Sequence, residues 1–375
     1  VSRPFTAYEF FAGGGMARAG LGERWACLFA NDFDALKART YRANWPGEPF
    51  HEGDVWAITP AALPGRADLA WASSPCQDFS LAGARAGLQG GRSSAFFGFW
   101  RLIEALDDEG RAPRALAIEN VSGLLSSHGG ADFRALAQAL ADRGYRFGAL
   151  EIDAAAFLPQ SRPRVFILAT REAAPAALLG DSPFQTPAVR AAQAALPEAL
   201  KAHWLWWSPG APPRRNTALA DLLEPDRQVA WHRPEQTRRL LSLMAPLHAA
   251  KLEAAREAGR RQVGAVFRRT RVEDGQRRQR AEVRFDGIAG CLRTPRGGSS
   301  RQILLVVDGG QVRTRLLTGR EGARLMGLPD DYILPKAATG ALQIVGDGVA
   351  VPAVRFLAER LIEPLLDGRN RIAAE

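Results

Sequence analysis

The first 170 residues alternate short apolar runs with amphipathic stretches. Apolar runs at 8–11, 27–30, 69–73, 115–118, 147–152 and 165–169 have the length and continuity of strands buried on both faces. Between two of them Phe133, Leu136, Ala137 and Leu140 fall at i, i+3, i+4 and i+7, one face of a helix, and 95–106 also reads as a helix. Strand alternating with helix predicts an α/β fold, a mostly parallel sheet with helices on both faces. After Arg171 the pattern breaks. Ala and Pro dominate 172–200, Trp204, Trp206 and Trp207 precede a Pro-rich turn at 209–213, and 233–284 is heavily basic. A strand at 303–307 follows. Near the end Val354, Leu357, Ala358 and Leu361 share a helical face, with Pro352 at the helix start, where its missing N–H costs nothing. The expected organisation is a first domain at 1–171, a smaller second domain at 172–290, and a part, 291–375, that returns to the first. No internal repeat is visible.

Composition narrows the class. Hydrophobic residues make up 46% and charged residues 24% of the 375, ordinary for a globular protein. The net charge of +9 points to an acidic polymer as partner, nucleic acid above all, against the plainer reading of a merely arginine-rich composition. Cys27, Cys76 and Cys291 are too few and too scattered for a disulfide framework, and the five histidines lack metal-ligand spacing, so no metal is expected. The N-terminus has no signal-like apolar region, and no apolar run approaches the roughly 20 residues that span a bilayer. A cytoplasmic protein without a membrane partner is expected.

Phe11-Ala12-Gly13-Gly14-Gly15 lies between a strand and a helix starting near Met16, a turn that lets a ligand approach the backbone closely. The dinucleotide fingerprint would place a third glycine at position 18, where Arg18 stands, which speaks against a nicotinamide oxidoreductase. Asp32, at the end of the next strand, can accept hydrogen bonds from both ribose hydroxyls of a nucleoside, and Asp54 can bind an adenine amino group. Each alone reads equally as a capping aspartate. In order after a glycine turn, they favour a nucleoside-containing cofactor.

The strand 69–73 runs into Ser74-Pro75-Cys76-Gln77-Asp78-Phe79-Ser80. Loops at strand carboxyl ends build the site in open α/β sheets, and Pro75 stiffens this one. A thiol held there is a candidate nucleophile, whereas Cys27 and Cys291 read as structural. The next strand ends in Glu119-Asn120-Val121. A thiolate that adds to a ring carbon needs an acid beside the ring to take up the arriving charge, a task that suits Glu119; its plainer reading is a strand-end salt bridge. In Gln160-Ser161-Arg162-Pro163-Arg164 the two arginines alternate and point the same way if the segment is extended. They can hold phosphate, a ring carbonyl or a carboxylate, or serve as structural ion pairs.

These segments, in this order, resemble the C5-cytosine DNA methyltransferases. Further matches are Arg293-Thr294-Pro295-Arg296, Leu317-Thr318-Gly319-Arg320-Glu321 with Met326-Gly327-Leu328-Pro329, and Gly346-Asp347-Gly348-Val349, so the resemblance covers nearly the whole chain except the variable lobe. It implies a Rossmann-like catalytic domain and a smaller target-recognition domain, with double-stranded DNA in the cleft between them. It implies S-adenosylmethionine as methyl donor and S-adenosylhomocysteine as product. Cys76 would be the nucleophile and Glu119 the partner of N3, with Arg162 and Arg164 holding the flipped base and the catalytic loop. Phe11, Ala12, Gly13, Gly15, Asp32, Phe33, Asp54, Val55 and Pro75 would line the cofactor pocket, with Val349 from the far C-terminus. The segment from Ser80 through Gly90-Gly91 resembles the loop that closes over the base. The chain departs from the family pattern at Ser74, where an apolar residue or glycine is usual, at Asp32 for Glu, and at Asp347-Gly348 for Asn-Ser.

C5 of a stacked cytosine is hidden from a protein thiol, so the base must swing out. Arg268, Arg269, Arg271, Arg277, Arg278, Arg280 and Arg284 suit phosphate contact, some reaching guanine, although a solvated basic face accounts for part of such a run. With Gln77, Ser80, Arg293 and Arg296, the residues Arg268, Arg269 and Arg271 are the candidate DNA contacts. The three tryptophans read as core packing before base stacking. A monomeric, nucleoid-associated enzyme of bacterial or phage type is expected, either paired with a cognate restriction endonuclease or acting as an orphan. The rival readings are an RNA cytosine-C5 methyltransferase and a catalytically dead DNA-binding regulator on the same fold. Intact Cys76 and Glu119 weigh against the regulator.

Overall fold

The computed structural model describes residues 4–74, 95–295 and 301–372. The chain forms two compact units, one of Val1–Asp153, Pro163–Pro213 and Gly348–Glu375, the other of Ala154–Arg162 and Arg214–Asp347.

The first unit is built on seven strands: β1 (Phe5–Phe10), β2 (Trp25–Asp32), β3 (Phe50–Glu52), β4 (Leu69–Ser73), β5 (Ala115–Val121), β6 (Arg146–Asp153) and β7 (Pro163–Thr170). Their order across the sheet is β3-β2-β1-β4-β5-β7-β6. Pairings from β3 to β5 are parallel, and β7 runs antiparallel to both β5 and β6. The sheet is therefore mixed at one side, and helices cover both faces. Its inner strands are apolar throughout because both faces are covered. The helix Ala95–Asp108 buries Phe96, Phe99, Leu102, Ile103 and Leu106, and Ala131–Asp142 buries Phe133, Leu136, Ala137 and Leu140, all in one core with the sheet.

The expected second lobe at 172–290 differs from the observed second unit at both ends. Residues 172–213 stay with the first unit, because the tryptophan segment covers the edge strand β6. Phe147 N–H donates to His203 O at 2.9 Å, and Leu205 N–H donates back to Phe147 O at 2.6 Å. Trp207 is buried with its Nε1–H on Leu168 O at 3.0 Å, and Trp204 packs edge-on against Phe133 and Phe147. Of the part expected to rejoin the first domain, only 348–375 does so; 291–347 closes the second unit.

That unit holds a four-stranded antiparallel sheet, in the order β11-β10-β8-β9. Its strands are β8 (Gln262–Glu273), β9 (Gln276–Arg284), β10 (Ile303–Asp308) and β11 (Gln311–Leu316). Leu240, Leu252 and Ala255, from the helices Pro234–Leu241 and Pro246–Glu257, pack on Val266, Ala281, Val283, Ile303 and Leu305. The stretch 338–367 is long and apolar enough to pass for a membrane span, with mean hydropathy 1.4, but 72% of its most apolar window is buried and the helix breaks at 348–350. It is core material.

Candidate active site

The strand order reverses between β1 and β4, and in open α/β sheets the crevice at such a point receives the ligand. The loop after β1 opens with Phe11 at φ +56°, then Gly13 at +57° and Gly15 at +80°. Gly15 caps the helix Met16–Leu21, and a side chain there would run into the Trp45 ring. A Cβ on Gly13 would meet nothing within 4 Å, which leaves room in front of this turn. Asp32 closes the loop from β2. Its Oδ2 accepts the Gly13 N–H at 3.0 Å and its Oδ1 the Asp34 N–H at 2.9 Å. Burial pushes this carboxyl up, opposed by the Lys37 charge and the two backbone donors. Each oxygen keeps a lone pair for a further donor. Phe33, the next residue, is 68% exposed, an unusual place for a phenylalanine unless something covers it. Asp54 caps the short turn Val55–Ala57 through Trp56 N–H at 3.0 Å and is itself exposed, while Val55 is buried.

Val349 is buried in this same unit, and Gly348 before it has a steric reason: a Cβ there would collide with the Met16 thioether. The glycine that replaces the family's usual serine thus accompanies a methionine at the start of the glycine-turn helix.

One strand over, β4 and β5 are in parallel register with Ser73 beside Glu119. Glu119 is 7% exposed, and Arg164 of β7 brings its Nε to 3.2 Å from Glu119 Oε1. Register explains this: Glu119 sits opposite Phe166 in the antiparallel β5–β7 pair, with Arg164 opposite Val121. Asn120 turns its amide to residue 74, donating to Ser74 O at 3.1 Å and Ser74 Oγ at 3.3 Å, while its own Oδ1 accepts the Val121 N–H at 2.9 Å. Pro75, Cys76, Gln77 and Ser80 lie outside the described residues, as does Arg296.

The sequence profile of the C-5 cytosine-specific DNA methylases matches residues 5–363. The chain belongs to that family. It is a DNA cytosine-5-methyltransferase by class. It is 27% identical over 383 residues to the type II methyltransferase M.HpaII of Haemophilus parainfluenzae, covering 96% of this chain and 90% of that protein. It is 24% identical to M.HhaI of Haemophilus parahaemolyticus, over 93% of this chain and 92% of the relative. Among solved structures it shares its fold with the Dnmt2 methyltransferase of S. pombe, at a TM-score of 0.59 and 18% identity, covering 96% of this chain and 99% of that one.

Within this methylase the expected site residues divide. Glu119 and Arg164 come together, as do the glycine turn and Asp32. Arg162 belongs to the second unit, where it is 2% exposed and donates to Leu292 O and Gly346 O, both at 2.9 Å. Its guanidinium ties the 291–294 segment to the end of the helix Ala338–Asp347, at a point where Gly346 allows no Cβ against the Arg293–Thr294 backbone. Arg162 and Arg164, expected to act together, therefore have different partners. Arg293 is exposed. Cys27 is a structural thiol: burial pushes it up to about 12, and the Tyr41 hydroxyl oxygen lies 3.6 Å from its sulfur. Asn120 was given no role from sequence, although it stands beside Glu119 in the Glu119-Asn120-Val121 segment.

Proposed function

We propose that this methylase transfers a methyl group from S-adenosylmethionine to C5 of a flipped-out cytosine in double-stranded DNA, through a covalent bond between Cys76 and C6. The positive φ turn at Phe11–Gly15, the open space before Gly13, the spare lone pairs of Asp32 and the exposed Phe33 ring fit a nucleoside-containing methyl donor. When bound, S-adenosylmethionine supplies a methyl group on a cationic sulfur. Asp32 would take the ribose hydroxyls, Phe33 and Val55 the adenine faces, and Asp54 its amino group.

The Cys76 thiolate adds to C6 and forms the S–C6 bond. Glu119 holds a proton at N3, so that charge arriving on the ring is neutralised there. The resulting enamine makes C5 nucleophilic, and C5 takes up the methyl group. Loss of the C5 proton to a base then returns the electron pair to the ring and expels the thiolate. Arg164 orients the Glu119 carboxylate, and Asn120 fixes residue 74, two positions before the nucleophile.

The observation that carries this reading is the Glu119–Arg164 pair at the carboxyl end of β5, beside the strand whose extension carries Cys76. Duplex DNA with 5-fluorocytosine at a methylated position tests it, because fluorine cannot leave as a proton does. An adduct stable in SDS is expected, and none with Cys76→Ala. An adduct that survives the substitution, or none at a confirmed site, removes Cys76 from the chemistry. Methylation of transfer RNA in preference to duplex DNA would reassign the polymer. A nucleoid-associated monomer, within a restriction-modification system or as an orphan, is the setting proposed.

A further inference from the structure

The helix that follows the glycine turn, Met16–Leu21, packs on the helix Val351–Leu357. One glycine on each side of this contact leaves room for the other side. A Cβ on Gly20 would run into the Val354 side chain and stand 2.8 Å from Val351 O. A Cβ on Gly348, on the approach to the second helix, would run into the Met16 sulfur and stand 2.7 Å from its Cε and 3.3 Å from its Cγ. Neither glycine has a positive φ, so their backbones would suit other residues, and space alone excludes a side chain.

The two contacts differ in kind. Gly20 faces a backbone carbonyl and a β-branched valine, both stiff. Gly348 faces a methionine, the apolar side chain most able to move aside. Here it has nowhere to go. Three consecutive atoms, Cγ, Sδ and Cε, lie along the position of the missing Cβ, so turning the terminal methyl does not clear it. Met16 is 1% exposed, which closes the route to solvent. In an interior packed at such density an added carbon is passed on to the backbone. The backbones that would receive it belong to the donor pocket proposed above. Gly15 precedes Met16, and Val349 follows Gly348.

We propose that Met16 and Gly348 are a matched pair that sets the spacing between the glycine turn and Val349, and with it the fit of the methyl donor. Met16 is a positioning residue here, acting on the donor through Gly15 and Val349. Side-chain volume can stand at position 16 or at position 348, but not at both. This rests on the reading of the turn as the S-adenosylmethionine site and says what fixes its width.

Isothermal titration with S-adenosylhomocysteine tests the pair without turnover. Gly348→Ala is expected to weaken binding about ten- to a hundredfold, the span that one overpacked carbon implies. Affinity for duplex DNA, measured without cofactor, is expected to hold. Met16→Ala empties the space opposite residue 348. In that background Gly348→Ala is expected to leave binding unchanged or to tighten it. Two independent structural losses would add, so this reversal of sign marks a coupled pair. Gly20→Ala, farther along the same helix contact, is expected to lower the melting temperature and spare donor affinity. Wild-type affinity in Gly348→Ala overturns the proposal. So does equal harm from Gly348→Ala with and without Met16→Ala, or an equal loss of donor affinity in Gly20→Ala. Should Gly348→Ala alone fail to fold, the comparison within the Met16→Ala background still decides: further weakening there overturns the pair. A wild-type protein that binds no S-adenosylhomocysteine would instead overturn the donor reading, and the pair with it.

Discussion

Glu9 in β1 and Glu119 in β5 flank β4 on its two sides, Glu9 beside Trp71 and Glu119 beside Ser73, two residues nearer the carboxyl edge. Both are buried, at 2% and 7% exposure, and both belong to one sheet. Their partners differ. Glu9 receives the Arg18 backbone N–H at 3.3 Å and the Tyr41 hydroxyl at 3.4 Å, while the Arg18 guanidinium is taken by Glu48 at 2.8 Å. Burial pushes the Glu9 carboxyl up to about 8, so it stays protonated at neutral pH. Glu119 instead has the Arg164 guanidinium at 3.2 Å, at a strand end beside Ser73. Burial alone does not make a carboxyl useful. Inside the sheet it makes a neutral structural acid; at the edge, with a cation beside it, it can hold or release a proton where a substrate arrives.

The largest effect that tests this contrast is on chemistry. Glu119→Gln is expected to slow the methyl-transfer step by about two orders of magnitude or more, a typical contribution of a positioned acid. Single-turnover rates with pre-bound DNA check it, and full activity would remove Glu119 from N3. Glu9 gives a smaller effect, on stability. Its folded value of about 8 lies above the reference of 4.5, so the folded chain binds the extra proton. That stability is complete below about 4.5 and is lost as pH rises through about 8, which amounts to roughly 2 kcal/mol between pH 6 and pH 8. Glu9→Gln, neutral at every pH, is expected to lack this loss. Urea midpoints of the two proteins at both pH values measure it, and parallel slopes would mean that Glu9 is already ionised.

The strands on either side of this contrast were legible because sheet strands covered on both faces read as continuous apolar runs, as in 69–73 and 165–169. β3 carried a weaker signal: a strand ending at Asp54 was expected there without a continuous apolar run, because β3 spans only Phe50–Glu52 and His51 and Glu52 are exposed. The β8–β9 hairpin was read as a basic run because its far half is solvent-exposed and arginine-rich, which hides the alternation. Its Asp274-Gly275 turn, with both residues at positive φ, was the signal available, a two-residue pair of the type that closes hairpins. Of the candidate site, the glycine turn, Asp32 and Glu119 could be placed from strand ends. The separation of Arg162 from Arg164 could not, since it depends on the carbonyls of Leu292 and Gly346, far along the chain.

The smallest effect, and the most direct test of the contrast, comes from changing only the cation. Arg164→Lys keeps a positive charge near Glu119 but loses the planar Nε donor and the Nη1–H bond to Pro163 O at 2.8 Å, which together fix where that charge sits. A loss of about tenfold in kcat/KM is expected, the order of one charge-assisted hydrogen bond. A structural role alone could produce that number, so the pH profile decides. Drawing a cation away from a buried carboxylate disfavours its ionised form, and the limb of the rate profile governed by Glu119 moves to higher pH. Arg164→Met moves it further, toward the state in which Glu9 already exists. If both variants lose rate with the profile unmoved, Arg164 acts on the fold and not on the acid, and the difference between the two glutamates has a cause other than the guanidinium.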